Sequence, residues 1–120
     1  MRSIEFYKTS SGHSPIEDFL DHLSNQQVEK VLWVLKLIRE MDRVPACYFK
    51  KLVNTNGIYE VRVAFGGNIF RLLCFFHNRN MIILTNGFQK KTQACPKSEI
   101  EIAETRKKDY LRRYRDGRTR

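Results

Sequence analysis

The sequence predicts an α+β domain with a largely antiparallel sheet, on three observations. Two helix-start signals, at Ser14 and Ser24, are followed by apolar residues at helical spacing. From Tyr48 onward the apolar period changes to two and is broken by three short turns rich in Asn and Gly. Pro96 then opens a closing helix, so the element order is β-α-α-β-β-β-β-α. Hairpins run together with helices segregated to the ends describe an α+β layer rather than a parallel, doubly wound one.

Ser3–Lys8 alternates Ile4, Phe6 and Lys8 against Glu5 and Tyr7 and is read as the first strand. Ser14-Pro15-Ile16-Glu17 combines a capping box with proline at the first helical position, which starts a short helix ending near His22–Leu23. Ser24 and Gln27 repeat the signal and launch a longer helix to about Asp42. Val28, Val31, Leu32, Leu35 and Ile38 form its stripe, and Trp33, Val34, Leu37 and Met41 widen it, so this helix is expected to be sandwiched. The two helices form an antiparallel hairpin, and Pro45 stops the second. A four-strand meander follows: Tyr48–Val53, Ile58–Phe65, Ile69–His77 and Met81–Lys90, one face on the helices and the other towards solvent. In the last helix Ile100, Ala103, Lys107, Tyr110, Leu111 and Tyr114 share a side.

With 120 residues the chain has room for one core. Residues 1–115 are expected to form a single domain and 116–120 a basic, disordered tail. No apolar run reaches the ~18–20 residues of a membrane span, and the N-terminus lacks the apolar segment of a signal peptide. Cytoplasm is the expected location. Cys47, Cys74 and Cys95 are odd in number and show no C-x-x-C spacing, which suits apolar fillers in a reducing compartment and implies no metal.

The formal charge is +9 and unevenly distributed. Residues 1–49 carry six basic and seven acidic side chains, whereas 50–91 carry seven basic ones against Glu60 alone. The segment 106–120 holds eight basic and two acidic residues. Such a concentrated excess points to phosphate-bearing partners. A membrane partner is disfavoured, because the tail lacks the bulky apolar face of an interfacial helix.

Sorting the strands by alternation places Arg62 and Arg71 mid-strand on either side of the Gly66-Gly67 turn, roughly opposite each other. A guanidinium there gains little unless an anion meets it. Unpaired, the two would form a phosphate-gripping couple, and the alternative is that Glu60 neutralises one of them as a structural ion pair. As the lone acid from Lys50 to Lys91, Glu60 suits a salt-bridge organiser better than a general acid, with a general-base role also open. Phe88 beside Lys90 and Lys91 would stack on a base while the lysines take backbone phosphates, with Lys50 and Lys51 adding charge. The same alternation puts Asn86 and Phe88 on one face with Ile82 and Leu84.

The runs Lys51-Leu52, Gly57-Ile58-Tyr59-Glu60-Val61-Arg62 and Phe70-Arg71-Leu72-Leu73 resemble the central sheet of RelE/ParE-superfamily toxins. Asn86-Gly87-Phe88-Gln89-Lys90-Lys91-Thr92-Gln93, followed by Pro96, Glu99-Ile100-Glu101 and Ala103, is similar to their phage-derived HigB-like branch. The resemblance runs from about Ser3 to Leu111. It implies the toxin of a type II toxin–antitoxin pair, an mRNA endoribonuclease that works free or on the ribosome and inhibits translation. The ribose 2′-hydroxyl attacks the adjacent phosphate in such enzymes, without metal or organic cofactor. The implied partner is a small antitoxin with a helix-turn-helix domain, similar to HigA. Arg62, Arg71, Lys90 and Lys91 match the catalytic positions, and Lys50, Lys51, Phe88 and Asn86 the RNA-binding ones. Relatives often carry histidine where Asn86 stands, which leaves proton transfer to a lysine or, as a substitute, to His77. The rival readings are a ParE-like inhibitor of DNA gyrase and an RNA- or ribosome-binding module that does not cut.

Overall fold

The computed structural model describes residues 1–89 and 95–115. Its elements follow the expected order: β1 (Ser3–Phe6), α1 (Pro15–Asp21), α2 (Asn25–Glu40), β2 (Phe49–Lys51), β3 (Tyr59–Phe65), β4 (Asn68–His77), β5 (Met81–Gln89) and α3 (Lys97–Arg115). The five strands form one sheet in the order β1-β5-β4-β3-β2. β1 runs parallel to β5, and the meander β2 to β5 is antiparallel throughout. No helix among the described residues is long and apolar enough to cross a membrane.

Local chemistry explains where the elements begin. Ser24 and Gln27 make the full reciprocal capping box: Gln27 N–H donates to Ser24 Oγ at 3.2 Å and Ser24 N–H to Gln27 Oε1 at 2.9 Å. At Ser14 the forward half is made, Glu17 N–H donating to Ser14 Oγ at 3.3 Å, with Pro15 leading the helix. The end of α2 is held by Arg2, whose guanidinium donates to the carbonyls of Ile38 (2.8 Å), Met41 (2.5 Å) and Asp42 (2.9 Å). Gly66 and Gly67, at φ +58° and +82°, supply the two positive angles that a two-residue hairpin turn needs between Phe65 and Asn68.

Helices cover both faces of the sheet, which corrects the expectation of one solvent-facing side. α1 and α2 pack on Val61, Val63, Phe70, Leu72, Cys74, Ile82 and Leu84. α3 lays Ala103, Tyr110 and Ile100 on the opposite face, against Ile58, Leu73, Phe75 and Ile83. α3 is anchored at its far end by Asp109, which accepts from Tyr7 Oη at 2.5 Å and pairs with Arg112 and Arg113. α2 itself is not sandwiched. It buries Val31, Val34, Leu35 and Ile38, whereas Leu32 (49%) and Trp33 (45%) stay about half exposed, Trp33 meeting the Tyr48 ring edge-on at 6.0 Å and the Lys30 ammonium at 4.5 Å. Of the cysteines, Cys74 is a buried filler, but Cys47 is exposed. Burial pushes the Cys74 thiol well above its usual range, and the charge of Glu60 adds to this.

A β-bulge overturns one face assignment. Leu73 pairs with Asn86 and Cys74 with Leu84, so Thr85 is an extra residue on β5. Its hydroxyl donates to Leu73 O (3.1 Å) or to Asn86 Oδ1 (2.6 Å), and its carbonyl accepts from Arg106 at 2.8 Å. Beyond Thr85 the parity of the strand is reversed. Asn86 and Phe88 therefore lie on the α3 side with Ile83, not with Ile82 and Leu84.

The reversal also turns Gly87 towards α1, where the Phe19 ring lies in the space a side chain would take. A Cβ at position 87 would come within 2.7 Å of Phe19 Cδ2. Gly87→Ala is expected to lower stability by about 1–3 kcal/mol, as overpacking does. The measurement is the urea midpoint at unchanged slope. A midpoint equal to wild type would show that α1 yields freely.

Candidate nucleic-acid interface

The site is built on the end of the α3-side face where β3, β4 and β5 meet the Gly66-Gly67 turn. Register sets Arg62 opposite Arg71, and Arg71 opposite Phe88, in one cross-strand row. The neighbouring row runs Lys50, Glu60, Leu73, Asn86. Strand alternation brings Lys50, Arg62, Arg71, Phe88, Asn86 and Glu60 to one face of the sheet. Lys51 pairs with Tyr59 and lies on the other face, with the helical hairpin. Lys90 and Lys91 lie outside the described residues.

The two arginines have different environments. Arg71 is 3% exposed and Glu60 is fully buried, and Arg71 Nη1 donates to Glu60 Oε2 diagonally across the strands. Arg71 is therefore not an unpaired cation, which corrects half of the expected couple. The lone acid of the segment neutralises it because burial of either charge alone is so unfavourable. Glu60 Oε1 and Arg71 Nε are buried without hydrogen-bond partners among the described residues. Arg62 is half-buried, and among the described residues no carboxylate pairs with it. Lys50 is exposed beside the pair and Phe88 is half-buried. Among the described residues, the accessible charge of this end is thus carried by Arg62 and Lys50.

Asn86 is 5% exposed and committed. Its amide nitrogen donates to Glu99 Oε1 at 2.9 Å and to Glu99 O at 3.2 Å, fastening β5 to the first turn of α3. Glu99 was not singled out from the sequence, since an acid in a first helical turn has an ordinary electrostatic reason to be there. His77 sits at the other end of β4, six residues or about 20 Å from Arg71. Its ring meets the edges of Tyr110 and Tyr114 at 5.3 and 4.3 Å. The structure therefore does not bring His77 to the arginines. Among the described residues, no group of three or more His, Cys, Asp or Glu could hold a metal ion.

A five-stranded sheet between a helical hairpin and a closing helix is a mixed α+β architecture consistent with a RelE-like fold. A family model described as phage-derived protein Gp49-like (DUF891) matches residues 18–108, and the chain belongs to that family. No curated protein matches the chain.

The buried pair makes a test. Glu60→Ala, which leaves a guanidinium stranded, is expected to destabilise by about 3–5 kcal/mol in urea unfolding. The double variant Glu60→Leu/Arg71→Met should be less destabilised than Glu60→Ala, because it removes both charges together. A double variant as unstable as the sum of its singles would show that the two residues are not coupled.

Proposed function

We propose that this protein is the toxin of a type II toxin–antitoxin system, a HigB-like mRNA endoribonuclease that inhibits translation in the cytoplasm without a metal or organic cofactor. The observation that carries the reading is the half-buried, carboxylate-free Arg62, aligned in one row with Arg71 and Phe88 and flanked by Lys50. Family membership and the RelE-like fold support it.

In this mechanism the substrate supplies its own nucleophile. The 2′-hydroxyl oxygen attacks the adjacent phosphorus and loses its proton to a base, for which a lysine crowded by like charges is preferred. The P–O5′ bond breaks as the 5′-oxygen gains a proton, leaving a 2′,3′-cyclic phosphate. Arg62 faces the charge that builds on the pentacoordinate phosphorus, a contribution of about 3–4 kcal/mol for one well-placed donor. Arg71, held by Glu60, sits beside Arg62 in that row and fixes the strand register. Phe88 offers an aromatic face to a base, and Lys50 a contact to a neighbouring phosphate. The partner is an antitoxin, whose acidic surface a +9 chain would attract.

Arg62→Ala is expected to slow single-turnover mRNA cleavage by about 10²–10³-fold with unchanged circular dichroism. Wild-type cleavage should persist in a chelator. A rate within about threefold of wild type would remove Arg62 from the chemistry. If expression stops DNA replication before translation, the gyrase-inhibitor reading takes its place.

A further inference from the structure

The strand order leaves β1 at one edge of the sheet, and its outer side is closed at both ends and open in the middle. Ser3 N–H donates to Asn80 O at 2.7 Å and Tyr7 N–H to Leu84 O at 2.8 Å. Odd-numbered residues therefore turn their backbone groups towards β5, and Arg2, Ile4, Phe6 and Lys8 turn theirs outward. At one end Arg2 N–H is taken by Arg39 O of α2, at 2.8 Å. At the other, Lys8 O accepts from the Arg113 guanidinium of α3. Between these clasps the N–H and C=O groups of Ile4 and Phe6 have no partner among the described residues.

Grooves flank the gap on both sides of the strand. One, of about 340 Å³, lies against α2 and is lined by Ile4, Phe6, Leu32, Leu35, Lys36 and Arg39. The other, of about 480 Å³, lies towards α3, where Lys8, Arg113 and Tyr110 face Glu5 and Glu17. We propose that this edge docks a short extended segment of a partner protein, added as a sixth strand, with apolar and acidic side chains directed at α2. The proposal rests on the toxin–antitoxin reading and identifies where the antitoxin engages.

Three observations select that occupant. Alternating outward N–H and C=O groups are matched by an extended peptide backbone, whereas RNA phosphates are acceptors only. A second copy of this chain would bring another +9 charge to the same edge. The α2-side groove is lined by apolar side chains and two cations, Lys36 and Arg39, the second already paired with Glu40 at 3.2 Å, so apolar groups and a carboxylate for Lys36 fit it. β1 lies three strands from β3, about 14 Å across the sheet, so the docked segment does not itself cover Arg62.

The experiment uses the full chain and the purified protein encoded by the adjacent gene. Amide hydrogen exchange should slow across residues 2–8 on binding. Lys36→Glu/Arg39→Glu should weaken the complex at least about tenfold while mRNA cleavage stays at the wild-type rate. Ile4→Pro removes an outward donor and no ladder bond to β5, and should weaken it similarly. The charge-reversed variant keeps the test decisive if the proline variant does not fold. Binding that both folded variants retain within about threefold, or protection confined to other segments, overturns the docking proposal and leaves the toxin reading standing. If the wild-type chain does not bind the adjacent gene product, the toxin–antitoxin reading falls and the docking proposal with it.

Discussion

Glu60 and Arg71 put two full charges between the central strands of a small sheet, out of reach of water. In that environment a charge is tolerated only with its partner in place. The contact is diagonal, since Glu60 pairs in register with Leu73 and reaches back to Arg71. A slip of one residue in β3 would carry the carboxylate to the opposite face, against Phe70, Leu72 and Cys74 of β4. The ion pair therefore specifies register in a way that interchangeable β-branched neighbours do not. With Arg71 committed, Arg62 is the half-buried arginine of the row that no carboxylate among the described residues pairs with.

The two covering layers divide the remaining labour. The hairpin of α1 and α2 covers the larger apolar cluster of the sheet, while α3 is fixed by polar ties at several points along its length. Asn86 to Glu99, Arg106 to Thr85 and Tyr7 to Asp109 are all contacts between α3 and the strands beneath it. Thr85 makes the first two possible. By adding a residue to β5 it turns Asn86 towards the helix and its own carbonyl towards Arg106. The bulge thus sets both the seating of α3 and the face on which Phe88 appears.

Much of this architecture was legible in the chain. Ser14, Ser24, Pro15, Pro45 and Pro96 act through short-range sterics and hydrogen bonds, so they mark helix ends without tertiary help. Gly66-Gly67 did the same for the hairpin, and counting outward from it set Arg62 across from Arg71. What could not be read was whatever depends on layers meeting. Thr85 is an ordinary strand residue, and nothing local distinguishes an inserted threonine from a paired one. The apolar breadth of α2 gave no hint that Leu32 and Trp33 stay about half exposed, because periodicity counts hydrophobic positions and not what packs on them. The commitment of Arg71 to Glu60 is legible in the sequence only as one of two alternatives, since it turns on how deeply that part of the sheet is buried.

Phe19 lies on Gly87, and Gly87 is bonded to Phe88, so an aromatic ring beneath the sheet bears directly on one above it. The bare backbone at 87 leaves no side chain to cushion that contact, and the strand cannot sink towards α1 without pushing the ring aside. The position of Phe88 is thereby governed by packing in the hydrophobic layer on the far side. Tuning of this surface is open to substitutions in a helix on the other side of the sheet, by the logic of a shim behind a fitted part.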